Sequence, residues 1–264
     1  DPDRQRDRDG AVTFSAAELT DDAFLDGRLR LWQPAHGYRA AADPVLLAAA
    51  APAGPGARVL DLGCGVLTAG LCLAVRVPGI ALAALERQAP YADLARRNAA
   101  RNGVAAEVVE GDVAWMPAAL RRPFDVVLLN PPYFLPGDGT PARDPGREAA
   151  LREETPLDVW LDAAARRVFP GGWLVLIQAA ERLPDVLAAL PRTMGSVSVL
   201  PTQPRPGRSA RRIVLRARKG GRAPFVLLPP LVLHDAPAHD GDRDSYTPAA
   251  RAVLREGAAL SSFG

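Results

Sequence analysis

Apolar and polar positions follow two rhythms along the chain. From residue 58 onward, short apolar runs (58–62, 80–86, 107–110, 124–130 and 173–178) are separated by stretches whose apolar residues recur at helical spacing, among them 69–77, 90–102 and 157–168. Strand-length runs divided by helices predict an α/β fold with a parallel sheet and right-handed crossovers. Such a sheet binds ligands at the carboxyl ends of its strands, where the strand order reverses. After residue 190 the rhythm changes. Runs 196–200 and 212–218 have no long helix between them, so they are expected to pair antiparallel. Run 225–234 is broken by Pro229-Pro230, which confines it to a sheet edge or an extended loop. Residues 247–256 predict a last short helix.

Ahead of this pattern, residues 24–32 alternate about Asp26-Gly27, which predicts a hairpin. Asp43-Pro44 opens an apolar run to Ala51, with Asp43 read as helix N-cap and Pro44 as the first helical residue. The expected organisation is a flexible polar segment at 1–20, a hairpin and helix at 21–52, and a main domain at 53–264 ending in basic strands. The loop 136–145, rich in proline and glycine, is the one insertion.

Composition narrows the classes. With 264 residues, 48% of them hydrophobic and 23% charged, the chain can build one sizeable core. From a net charge of +2 a nucleic-acid role cannot be argued, so such a role would need a local patch. Cys64 and Cys72 cannot build a disulfide framework, and His36, His234 and His239 have no metal-ligand spacing. No run of about 18 apolar residues exists to cross a membrane, and residues 1–10 lack an apolar signal core. A reduced, cytoplasmic setting is the expectation.

The first strand runs into Asp61-Leu62-Gly63-Cys64-Gly65-Val66-Leu67. A glycine-rich turn between strand and helix lets backbone approach a ligand closely and aims helix amides at it. A dinucleotide site would have Gly or Ala where Thr68 stands. Asp61 instead suits a cationic amino group, such as the methionine ammonium of S-adenosylmethionine. Glu86, ending the second strand, can accept from both ribose hydroxyls, although nicotinamide dinucleotide sites use the same device. Asp112 follows the third strand and can accept from an adenine amino group. Three acids at successive strand ends are more than scattered surface charge.

The fourth strand runs into Asn130-Pro131-Pro132-Tyr133-Phe134. Two prolines past a buried strand stop the ladder and stiffen the backbone. The Asn130 side-chain oxygen and the Pro131 carbonyl can then hold both hydrogens of a planar NH2 group. That localises the nitrogen lone pair for in-line attack on a sulfonium methyl, and positioning carries the catalysis. Tyr133 offers a face for an unstacked base. Between Arg205 and Arg222 lie eight basic residues and no acid. Period-2 alternation puts Arg212, Arg216 and Arg218 on one face of their strand, outward, with Ile213, Leu215 and Ala217 inward. With Arg205, Arg208 and Lys219 they form a candidate phosphate-binding surface. Arg143, Arg147 and Arg152 lie in a candidate lid, 136–152.

On Asp61–Gly65, Glu86, Asp112 and Asn130–Tyr133, the chain resembles class I methyltransferases of the Asn-Pro-Pro-Tyr type. Gln33-Pro34-Ala35-His36-Gly37-Tyr38-Arg39 and Asp43-Pro44-Val45-Leu46-Leu47 narrow the resemblance to the bacterial tRNA1(Val) adenine-37 N6-methyltransferases, over roughly residues 20–260. The resemblance implies a Rossmann-like, mostly parallel seven-stranded sheet with antiparallel C-terminal strands. It implies S-adenosylmethionine bound by Arg39, Asp43, Asp61, Gly63, Gly65, Glu86, Asp112 and Asn130. It implies an acceptor site at Asn130, Pro131 and Tyr133, with tRNA as partner. The N-terminal hairpin and helix would cap the cofactor site. Where the family has a third glycine this chain has Leu67, whose side chain either crowds the methionine end or packs beneath the turn. Two other readings stay open: a protein-glutamine N5-methyltransferase, and a non-catalytic cofactor- or RNA-binding protein.

Overall fold

The protein is described by a computed structural model covering residues 13–36, 39–133, 155–235 and 245–263. The candidate lid, the insertion at 136–145, Phe134, Gly37, Tyr38 and His239, and most of the segment 1–20, lie outside the described residues. Strands β1 (Leu19–Phe24) and β2 (Leu29–Pro34) form an antiparallel hairpin, followed by helix α1 (Ala42–Ala50). The main sheet starts with β3 (Arg58–Leu62), helix α2 (Thr68–Arg76), β4 (Ala81–Glu86), helix α3 (Ala89–Arg101) and β5 (Ala106–Glu110). The chain then crosses to β6 (Phe124–Leu129), helix α4 (Leu157–Arg167) and β7 (Val168–Ala179). Helix α5 (Leu183–Ala189) leads to β8 (Met194–Gln203) and β9 (Arg212–Lys219), and helix α6 (Pro248–Leu254) lies near the end.

Strands β3 to β7 pair in parallel, while β9 runs antiparallel to both β7 and β8. The order is β10-β8-β9-β7-β6-β3-β4-β5, so the direction of winding reverses between β3 and β6. The sheet counts nine strands rather than the seven that the resemblance implies. The two extra are β10 (Val226–Leu227) and β11 (Leu231–Val232), two residues each, both laid along β8. Pro229-Pro230 separates them, because proline has no N–H to give to the ladder.

The central strands are buried on both faces, as parallel strands covered by helices must be. Val59, Leu71, Leu73, Val126, Leu128 and Val175 fill the layer shared with α1 and α2. Leu60, Leu62, Val127, Leu129, Leu161 and Leu174 fill the layer under α4. Asn98 of α3 is fully buried and ties the hairpin to the glycine-rich turn. It accepts from Trp32 N and donates to the carbonyls of Trp32 and Val66.

Asp43 does not cap α1. The helix begins two residues earlier than expected, at Ala42 with Ala41 as its N-cap, and no side chain caps its first amides. The Asp43 carboxylate is taken up elsewhere, by Tyr133 and Arg212.

Candidate active site

The carboxyl ends of β3, β4, β5 and β6 open onto one cavity of about 700 Å³. That is ample for a nucleotide-sized ligand. Its wall includes Arg39, Asp43, Asp61, Gly63, Gly65, Glu86, Asp112, Asn130, Pro131, Tyr133 and Arg212. Residues distant in sequence meet here because each lies at or just past an element end at the switch point.

Gly63 carries a backbone that other residues resist, with φ +69°, and any Cβ there would stand 2.6 Å from the Trp160 ring. Trp160, on α4, thus packs its six-membered ring against the turn and lines the cavity. Leu67 caps α2 in the left-handed region, at φ 73°. Its side chain is fully buried in the core beneath the turn and stays off the cavity wall.

Asp61 is 3% exposed and accepts one hydrogen bond, from Gly70 N at 3.0 Å. Burial pushes its carboxyl up to about 7, and the neighbouring Glu86 charge adds to this. Glu86 receives Gly65 N and Gln88 N, each at 2.9 Å, although burial still raises its pKa above the usual carboxylate range. Asp112 spends one oxygen on Ala114 N and keeps the other 3.9 Å from Arg87. Thr68 Oγ1 is buried with no hydrogen-bond partner among the described residues. Arg39 is held by Thr20 and Asp22 of the hairpin. Cys64 also lines the wall, but burial pushes its thiol well above the usual range, so it is no nucleophile.

A buried acid without an ion pair among the described residues, an orphaned hydroxyl and a glycine-rich turn suit a ligand with an ammonium and a nucleoside. S-adenosylmethionine has both. Asp61 and Thr68 would face its methionine end and Glu86 its ribose.

At the acceptor end, Tyr133 Oη lies 2.7 Å from Asp43 Oδ2 and 2.9 Å from Asn130 Oδ1. Arg212 Nε donates to the same Asp43 oxygen at 2.9 Å, and its guanidinium covers the Tyr133 ring at 4.5 Å. The backbone of the Pro-Pro step is pinned from below. Buried Gln178 donates to Pro132 O at 3.2 Å, and Arg182 donates to Tyr133 O at 3.3 Å. Sequence reasoning passed over Trp160, Gln178 and Arg182. The one available signal was a glutamine ending an apolar strand.

The expected outward basic face divides. Arg212 pairs with Ala179 and Thr202 at the cavity end of the sheet, where Arg211 also lines the cavity, and Arg205 and Arg208 lie in the turn 204–211 that leads into it. Arg218 pairs with Trp173, and Lys219 with Met194, at the opposite end. Arg218 stands six residue steps along β9 from Arg212, about 20 Å. Arg216 corrects the expectation most directly. It is 7% exposed, donates to Ala50 O at the end of α1 and lies 4.1 Å over the Phe263 ring. Lys219 likewise serves the carbonyls of Ala165 and Val168. Free carbonyls at helix ends draw these cations inward.

The fold and the pocket define a class I S-adenosylmethionine-dependent methyltransferase. Residues 42–141 match the family model for the methyltransferase small domain. The chain is 30% identical to the tRNA1(Val) (adenine(37)-N6)-methyltransferase of Dickeya chrysanthemi, over 69% of this chain and 73% of that protein. It belongs to that family. It is also 33% identical to the release factor glutamine methyltransferase of Deinococcus radiodurans, over 62% of this chain and 59% of that protein. Among solved structures, a predicted O-methyltransferase from Agrobacterium tumefaciens superposes with a TM-score of 0.66 at 28% identity, covering 82% of this chain and 97% of that one. No helix among the described residues is long and apolar enough to cross a membrane.

Proposed function

We propose that the chain methylates the exocyclic N6 of an adenine in RNA, with tRNA as acceptor and hence the cytoplasm as its place of work. The observation that carries this reading is a juxtaposition. Asn130, Pro131, Pro132 and Tyr133 share the wall of the cofactor cavity with Ala210 and Arg211, the last two residues of the arginine-bearing turn 204–211. Asn130 and Pro131 are the two acceptors for an NH2 group, Tyr133 is the stacking face, and Arg205, Arg208 and Arg211 are cations placed to take phosphates.

When bound, S-adenosylmethionine supplies a methyl group already activated by the sulfonium charge, so the protein needs no strong base. Asp61 would take the ammonium, Glu86 the ribose hydroxyls and Asp112 the adenine amino group, and Arg39 and Asp43 line the same pocket. Asn130 and Pro131 draw the acceptor nitrogen towards a tetrahedral form and aim its lone pair. Trp160 and the Pro-Pro step line the same cavity and would shield the bound reactants from water.

An amide NH2 presents the same two donors, so glutamine in a protein is the competing acceptor, and the 33% identity to a glutamine methyltransferase makes it the proper control. The test supplies labelled S-adenosylmethionine with unmodified tRNA in one reaction and purified release factor in another. Label in RNA alone is expected. Label in protein alone overturns the proposal.

A further inference from the structure

The hydrogen bonds around Tyr133 pose a problem of proton count. A phenol has one hydrogen to donate and two lone pairs to accept with. Its oxygen lies within hydrogen-bond distance of two acceptors, Asp43 Oδ2 at 2.7 Å and Asn130 Oδ1 at 2.9 Å. One hydrogen cannot serve both. Asp43 is ion-paired with Arg212 and carries the charge, and a charged acceptor makes the stronger bond. The phenol hydrogen therefore goes to Asp43. Two oxygens would then face each other at the Asn130 contact with no hydrogen between them, which is repulsive. The two ends of an asparagine amide have the same shape, so only hydrogen bonds decide which end faces which neighbour. A half-turn about χ2 resolves the conflict, because Nδ2 then donates to the phenol oxygen. The same half-turn puts Oδ1 on the side away from Tyr133, and Asn130 lines the cavity.

We propose that Asp43, braced by Arg212, sets the direction of the Asn130 amide through the Tyr133 hydroxyl, so that an acceptor oxygen rather than an NH2 group meets the substrate. The inference rests on the reading that the substrate presents an NH2 group, since a donor facing a donor would repel it. Asp43 and Arg212 are then positioning residues. They reach the chemistry through Tyr133, from α1 and from the start of β9, two elements far apart along the chain. The proposal also explains why Asp43 leaves the helix start uncapped, and why the Arg212 guanidinium covers the Tyr133 ring at 4.5 Å. A ring held on its face by Arg212 and at its hydroxyl by Asp43 keeps one orientation.

The first test needs no substrate. In the NMR spectrum of the whole protein, the Asn130 side-chain amide is assigned from its loss in Asn130→Asp. Its Nδ2 protons are expected to show an Overhauser contact to the Tyr133 ring, weakened in Asp43→Ala. Absence of that contact in the unsubstituted protein overturns the proposal. The second test measures single-turnover methyl transfer at saturating donor and acceptor. Tyr133→Phe, which keeps the ring, and Asp43→Ala should each slow transfer about 10- to 100-fold. The double variant should be no slower than either alone, and donor affinity should not change. Arg212→Gln should slow transfer without changing the salt dependence of RNA binding. Weakened donor binding with an unchanged rate in Asp43→Ala would mean that Asp43 serves the cofactor instead. Because the NMR arm requires no acceptor, it separates this proposal from the choice between RNA and protein.

Discussion

At the scale of single residues, the site holds one carboxylate, Asp61, that burial has left without a cation among the described residues. Asp61 sets the clearest expectation. Its carboxyl is held up to about 7, first by burial and then by Glu86. The methionine ammonium needs it ionised, so below pH 7 binding must expel a proton. Donor affinity should therefore rise about tenfold per pH unit up to about 7 and level off above. Calorimetry from pH 5.5 to 8.5 reads this directly, and the slope should vanish in Asp61→Asn. A slope kept in that variant would place the titrating group elsewhere. Leu67 gives a second expectation. Its left-handed backbone costs about 1–2 kcal/mol relative to glycine, but its side chain is fully buried in the core. Losing a buried leucine costs about 2–5 kcal/mol. Leu67→Gly should thus lower stability in a denaturant titration and leave donor affinity unchanged. A gain in affinity would mean that the side chain crowds the ligand after all. Asp61, Glu86 and Asn130 could be picked out from the sequence because each is a polar residue closing an apolar run. Trp160 could not, since nothing local distinguishes an indole that packs on a distant glycine from one in a core.

At the scale of elements, hydrophobic periodicity located the strands well, and it misjudged the basic strand β9 for an identifiable reason. Alternation tells which residues share a face, not what covers that face. Helix α1 ends against β9, and its free carbonyls take Arg216 together with Arg76, which donates to Ala48 O at 2.9 Å and Ala51 O at 2.6 Å. Crowding the two arginines in a buried place pulls the Arg216 pKa down to about 10, by burial first and the Arg76 charge second. Arg216→Ala should cost about 1–3 kcal/mol of stability and leave RNA binding untouched. The turn 204–211 should behave in the opposite way. If Arg205, Arg208 and Arg211 each hold a phosphate, the logarithm of RNA affinity falls with that of salt at a slope of about −2 to −3. Glutamine at all three should flatten the slope, whereas glutamine at Arg218 and Arg222 should not. Equal effects from both groups would restore the single basic face that the alternation suggested.

At the scale of the molecule, three separate parts of the chain converge on the acceptor nitrogen. The parallel half of the sheet supplies the carboxylates and the Asn130–Tyr133 segment. The antiparallel half returns Arg212 and its turn to the same rim, because β8 and β9 form a hairpin whose turn lies beside the end of β7. The N-terminal hairpin and α1 bring Arg39 and Asp43 to the pocket. Motifs in the sequence announce the first of these contributions. The other two are consequences of topology, and no local pattern announces that Asp43 and Arg212, 169 residues apart, meet at one carboxylate oxygen. The central claim is transfer of a methyl group to adenine N6 in tRNA. Its most direct test incubates the protein and its Asn130→Ala variant with methyl-labelled S-adenosylmethionine and unmodified tRNA, then digests the RNA for nucleoside mass spectrometry. The account predicts labelled N6-methyladenosine with the protein and none with the variant. Label in another nucleoside, or equal label with both proteins, would contradict it.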